Sequence, residues 1–314
     1  MAVEVAEEIR ATGTLAPTAA FLARRRWVDR TMRGLLAVAA SLSIFVTLGI
    51  VWVLVSESLV FFRHVSLVEF LTDTEWTPLF ANPRFGILPL LAGTVTVSAI
   101  ALLVAIPCGT VLAIYLSEFA SYRAREVIKP VLELLAGVPT VVFGYFALLV
   151  VTPTLRIFLP DISGFNMLSP GLVMGVMILP YVVSLSEDAM RAVPNSLREG
   201  AYALGYTRLQ TGLRVVVPAA FSGITAAYLL GMARAVGETM VVAIAAGQNP
   251  KFTFNPLEGA ATITAYIVQV SLGDVPHGSI GYQSIFAAGL VLFVFTLFFN
   301  LVGFILRRRF REVY

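Results

Sequence analysis

The chain has 314 residues, of which 58% are hydrophobic and 13% charged, with a formal net charge of +3. Soluble domains carry roughly a quarter charged residues, so this balance excludes a soluble enzyme and predicts an all-α polytopic membrane protein. A membrane β-barrel is excluded as well, because its strands would read as alternating ~10-residue segments and the apolar runs here are long and continuous.

Six runs reach the ~20 apolar residues that a bilayer crossing needs: 35–55, 88–116, 132–151, 168–185, 219–246 and 284–306. The cations divide around them. Arg24, Arg25, Arg26, Arg30 and Arg33 precede the first run, and Arg123, Arg125 and Lys129 lie between the second and third. Arg191, Arg198, Arg208 and Arg214 lie between the fourth and fifth, and Arg307, Arg308, Arg309 and Arg311 follow the sixth. Only Arg63, Arg84, Arg156 and Lys251 fall in the alternate loops. The positive-inside rule therefore predicts six transmembrane helices with both termini cytoplasmic. The expected division is a tail over 1–34, a six-helix membrane domain over 35–306 with a cytoplasmic loop at 187–214, and a tail over 307–314.

The N-terminal tail begins acidic (Glu4, Glu7, Glu8) and then turns rich in Ala and Thr; it carries no motif. The first run follows this long tail and ends without a small-residue cleavage site, so it reads as a retained span and not as a signal peptide. Trp52, near the end of this run, and Trp76, in the loop after it, are expected at or near the membrane interface. The second run holds Gly93, Thr94 and Ser98, small residues that allow close helix approach, and Pro107, which should kink it. Cys108 is the only cysteine, which rules out a disulfide framework and predicts a small packing residue.

The third run carries Glu133 near its inner end, within reach of headgroups or of Lys129. Gly137, Pro139 and Gly144 then break its regularity, which fits either a kinked packing helix or a helix beside a translocation path. The fourth run ends at Glu187 and Asp188. Residues 260–272, in the loop after the fifth run, are apolar enough for a re-entrant or interfacial helix.

The stretch 194–248 organises the rest. It opens with a polar, part-basic loop in which Leu197, Ala201, Tyr202, Leu204 and Leu209 give one side apolar character. Such a helix fits either a groove on a partner or the lipid headgroups. The loop leads into a run bearing Arg234 and Glu238. At i and i+4 on one helix these two are expected to pair. A charge at mid-helix costs about 2.5–3.5 kcal/mol on insertion scales, so the pair is either helix–helix glue or a functional group facing the bundle interior.

Some chemistry is absent. An ATP-cradling loop needs Lys between Gly and Ser or Thr, and the only lysines, Lys129 and Lys251, have neither context. His64 and His277 are isolated, so no metal site or nucleophilic triad is expected. The chain is read as a non-enzyme with no bound cofactor and no nucleic-acid partner.

Glu199-Gly200-Ala201, then Gly205, then Val215-Val216-Val217-Pro218 resembles the signature loop of ABC importer permeases: Glu-Ala-Ala, three residues, Gly, nine residues, Ile-x-Leu-Pro. The spacing matches throughout, with Gly200 for the middle Ala and valines for Ile and Leu. The segments Phe85-Gly-Ile-Leu-Pro, Ile178-Leu-Pro-Tyr181, Ser186-Glu-Asp-Ala-Met-Arg-Ala-Val-Pro194 and Ala233-Arg-Ala-Val-Gly-Glu-Thr-Met240 are similar to those of the phosphate-specific Pst importers, closest in type to the PstC subunit. This resemblance implies an ABC type I permease for inorganic phosphate. Its implied partners are a PstA-type permease, two PstB-type ATP-binding subunits that carry ATP-Mg, and an extracytoplasmic PstS-type phosphate-binding protein. It implies further that Glu199, Gly200, Ala201, Gly205 and Pro218 belong to the ATPase-coupling loop and that Arg234 and Glu238 line the substrate path. Guanidinium suits an oxyanion through its planar donor set, and a second cation from the partner permease is expected. A permease for sulfate or molybdate, or an ATP-independent channel or ion-coupled carrier, are the competing readings.

Overall fold

The computed structural model describes residues 19–309; the acidic start of the N-terminal tail and the last residues of the C-terminal one lie outside them. The chain divides into two units at Val53 and Leu54. The described part of the first unit is helical, the beginning of α1 (Ala19–Phe62). The second unit holds the end of α1 and a bundle of helices.

Within the bundle, α2 (Leu67–Thr72) is a short helix in a loop. Helix α3 (Leu88–Ile114) runs through Pro107 without interruption and ends in a π-turn, Tyr115–Phe119. Helix α4 (Tyr122–Gly137) stops before Pro139. The chain then continues as α5 (Thr140–Phe146), a π-turn (Ala147–Val151) and α6 (Thr152–Phe158). Helix α7 spans Leu168–Arg191, and α8 Asn195–Ala203. Next come α9 (Arg208–Thr211), a π-turn (Gly212–Val216) and α10 (Val217–Ala219). The remaining helices are α11 (Phe221–Val236), α12 (Met240–Ala245), α13 (Ile263–Ser271) and α14 (Ile280–Arg309).

Five of these stretches are long and apolar enough to cross a membrane: Arg24–Phe62, Leu88–Phe119, Thr140–Phe158, Leu168–Arg191 and Ile280–Leu306. A sixth is a broken pair, Arg208–Ala219 and Phe221–Val236, bent by 75°. The third span therefore lies later in the chain than the 132–151 run. Val138 is extended and Pro139 has no N–H to donate, so α4 closes at Gly137 and the crossing begins at Thr140. The fifth run also breaks, at Gly237, so 219–246 is not one helix.

Helices α3 and α7 form the centre. Gly171 and Gly175, one turn apart on α7, let α3 come close. A Cβ at Gly175 would lie 2.7 Å from the Cβ of Val104, and one at Gly171 would lie 2.7 Å from Ile100 Cγ2. Lipid tails are as apolar as the side chains here, so small residues that allow backbone approach supply the packing that water would otherwise drive. Val97, Ala101, Ala105, Met174, Ile178 and Val182 fill the seam, with Ala235, Val242 and Ala245 against it.

Two expectations, at Trp76 and Cys108, are corrected. Trp76 is not at an interface but is 1% exposed. It is held edge-to-face against Phe70, Phe85 and Tyr266, with ring centroids 6.2, 6.3 and 5.0 Å away. Cys108 is exposed on α3 and so does not pack within this chain. The apolar stretch 260–272 forms α13, nine residues and too short to span. Ile263, Tyr266 and Val270 bury it in the bundle.

Candidate functional site

Helix α11 carries Arg234 toward its C-terminal end. At 1.5 Å per residue its backbone lies ~20 Å along the axis from Phe221, two residues before the helix ends. The guanidinium rests over the ring of Tyr181 on α7, 4.8 Å from the centroid. Its Nε is buried without a hydrogen-bond partner. A ring face attracts a cation but neutralises no charge. Arg234 thus presents a half-buried guanidinium with unused donors.

Arg234 and Glu238 do not form the expected ion pair. The i,i+4 geometry needs a continuous helix, and α11 ends at Val236. Past the break the Glu238 carboxylate turns to the next helix: Met240 N–H and Val241 N–H donate to its Oε1 at 3.2 and 3.4 Å. Those are orphan donors of the first turn of α12, which any helix start must satisfy. The Glu238 carbonyl in turn accepts from Thr264 Oγ1 at 2.6 Å, which ties the break to α13. Glu238 is 7% exposed and fixes the backbone two residues beyond the span that holds Arg234.

The signature loop folds as a helix and a turn. In α8, Ala201 is buried while Glu199 is exposed, and a Cβ at Gly200 would meet nothing within 4 Å. The Gly in place of Ala is therefore sterically silent. Gly205 has φ +82°, a left-handed position that suits glycine at a helix end. Tyr202, Leu204 and Leu209 project outward, at 43%, 80% and 54% exposure. Pro218 starts α10, where its missing N–H costs nothing.

At this end of the bundle the structure assembles charges that the sequence did not connect. Glu187 on α7 is fully buried and meets Lys129 and Arg125 of α4, the latter at 3.6 Å, and Arg191 at 3.5 Å. Lys129 also reaches Asp188 at 3.4 Å, so it serves α7 and not Glu133, which is exposed. Arg198 of α8 reaches Glu118 in the π-turn after α3, with Nη2 3.0 Å from Oε1 and Nε 3.3 Å from Oε2. Arg198 also donates to the carbonyls of Val193 and Met190 at 2.7 and 2.8 Å. A carboxylate just past an apolar run, on the cation-rich side, was the one sequence signal for Glu118. Its partner lies 80 residues away.

Residues 105–312 match the family described as "Binding-protein-dependent transport system inner membrane component". The chain belongs to that family: it is the permease subunit of an ABC importer. It is 39% identical over 280 residues to the probable ABC transporter permease protein YqgH of Bacillus subtilis, covering 89% of each chain. It is 34% identical over 247 residues to the phosphate transport system permease protein PstC of Mesorhizobium japonicum, covering 73% of this chain and 74% of that one. Among solved structures, it resembles a chain of a bacterial alginate ABC transporter crystallised with a periplasmic protein bound to an alginate pentasaccharide. The TM-score is 0.62 at 20% identity, covering 92% of this chain and 99% of that one, a likeness of fold.

Proposed function

We propose that this permease imports inorganic phosphate as a PstC-type subunit, with a PstA-type permease beside it. Two PstB-type subunits bind ATP-Mg, and a PstS-type binding protein delivers phosphate from outside. The observation that carries the reading is the Arg234 guanidinium, within an apolar helix, with a buried unpartnered Nε and an aromatic ring in place of a carboxylate. Such a group is costly to keep in a membrane and is retained where an anion passes. Phosphate is a good match for its donor fork, and the relatives named for phosphate transport support the choice of anion.

Both termini then face the cytoplasm, as the cation distribution requires. The exposed Tyr202, Leu204 and Leu209 dock in a groove of the ATPase subunit, with Glu199 at the contact and Gly200, Ala201, Gly205 and Pro218 shaping the loop. Arg234 contacts phosphate in transit, and Glu238 acts through the backbone break that fixes where α11 ends. A dianion needs more than one guanidinium, so the second permease supplies another cation.

Uptake of labelled phosphate at low external concentration, in cells lacking the chromosomal copy, tests this. The wild-type chain should restore uptake that excess sulfate leaves unchanged. Arg234→Gln and Glu199→Arg, each present in the membrane at normal amounts, should not restore it. Uptake competed by sulfate or molybdate would assign another oxyanion, and uptake that survives loss of the ATPase subunit would replace the importer reading with a channel or carrier.

A further inference from the structure

We propose that Glu118 and Arg198 form a mechanical link that carries movement of α8 into α3 and α7, making both positioning residues for transport. The inference rests on the reading that α8 docks the ATPase subunit, and it concerns what happens on the membrane side of that contact.

Arg198 is on α8 itself, next to exposed Glu199, yet its side chain turns inward and is 14% exposed. Every donor group of its guanidinium is engaged: Nη2 and Nε on the Glu118 carboxylate, Nη2 on Met190 O and Nη1 on Val193 O. Those acceptors belong to the end of α3 and to the end of α7 and the turn after it. Glu118 is 4% exposed and is steadied by Ser117 Oγ, which donates to it at 2.8 Å. A bidentate Arg–carboxylate pair resists both sliding and rotation, unlike a point-charge contact.

The surroundings fit a part that moves as one. Glu118 lies in a π-turn, Tyr115–Phe119, and Gly212 lies in the π-turn that opens the approach to α11. A Cβ on Gly212 would come 3.4 Å from Glu118 Cγ, so the two turns meet along the Glu118 side chain. π-turns mark places where a helix trades regular bonding for function. α8 is thus connected through the Arg198 guanidinium to α3 and α7, and the Glu118 side chain it holds lies against the approach to the helix that carries Arg234.

The single native cysteine, exposed on α3, supplies a test that does not depend on the substrate. A nitroxide or fluorine label on Cys108, with cysteine-free partner subunits, reports movement of α3 when ATP-Mg is added to the whole complex purified through a tag on this chain. In the wild type the label signal should change on ATP-Mg. In Glu118→Gln the ATPase should co-purify in normal amounts and hydrolyse ATP, while the change at Cys108 falls at least fivefold. Arg198→Lys, which keeps the charge and loses the fork, should give an intermediate change. A wild-type-sized change in Glu118→Gln, or none in the wild type, overturns the link. Loss of the ATPase from Glu118→Gln complexes also overturns it, since the pair would then only shape the docking surface. A wild-type complex without ATPase overturns the docking reading beneath it.

Discussion

At the α8 end of the bundle, Glu187 has no exposed surface and three cations around it, and Glu118 is bonded by the fork of Arg198. Near the C-terminal end of α11, Arg234 has a tyrosine ring and no carboxylate. Burying a charge costs several kcal/mol after relaxation, and the same fold sets opposite charges against it at one place and none at the other. The difference separates charges that hold helices together from the one charge that the proposed function assigns to a passing anion.

The comparison can be broken most directly at Glu187. Glu187→Ala removes the carboxylate that Lys129, Arg125 and Arg191 share; because those cations are themselves partly exposed, the loss should fall below the ~3–5 kcal/mol of a fully buried pair. A clear drop in the thermal unfolding midpoint in detergent is expected; an unchanged midpoint would show that the cluster is not structural. Arg234→Met should behave in the opposite way. It removes an uncompensated charge, so the midpoint should hold or rise while uptake falls by about two orders of magnitude, some 2.7 kcal/mol in the transport barrier. A lowered midpoint would make Arg234 glue after all.

Tyr181 sharpens the same contrast at smaller scale. Tyr181→Leu removes the ring under the guanidinium, worth about 0.5–2 kcal/mol, and should lower uptake several-fold, whereas Tyr181→Phe keeps the ring face and should stay near wild type. Equal losses in both would shift the role to the hydroxyl. The smallest effect is expected at the surface pair Lys251–Glu258, 2.5 Å apart. The hydrogen bond from Lys251 holds the Glu258 carboxyl below its ordinary range. Its contribution to stability is therefore present above the ordinary carboxylate pKa and fades as pH falls through the lowered folded value. Lys251→Ala should abolish that weak acid dependence of the unfolding midpoint and little else.

Much of this was legible without coordinates. Apolar run length gave the membrane class, and the spacing from Glu199 to Pro218 gave the loop, because both depend on residues close in the chain. The helix break at Val138-Pro139 was legible for the same reason, although the crossing that follows it, Thr140–Phe158, was read too early in the chain. The GxxxG spacing of Gly171 and Gly175 is visible in the sequence, but only their contacts with α3 show what the spacing is for.

The features legible from residue order are local: which segments are apolar enough to cross, where a helix stops, where a loop carries apolar side chains. Tertiary structure decided the electrostatics. Arg234 and Glu238 looked like a pair because four residues separate them, but the chain bends between them and the carboxylate takes the unpaired N–H groups of α12 instead. Glu118 and Arg198 looked unrelated across 80 residues and are bonded. A charge in a membrane takes whatever partner the packed helices bring within 3–4 Å, and only the packing of α3, α7, α8 and α11 fixes which partner that is.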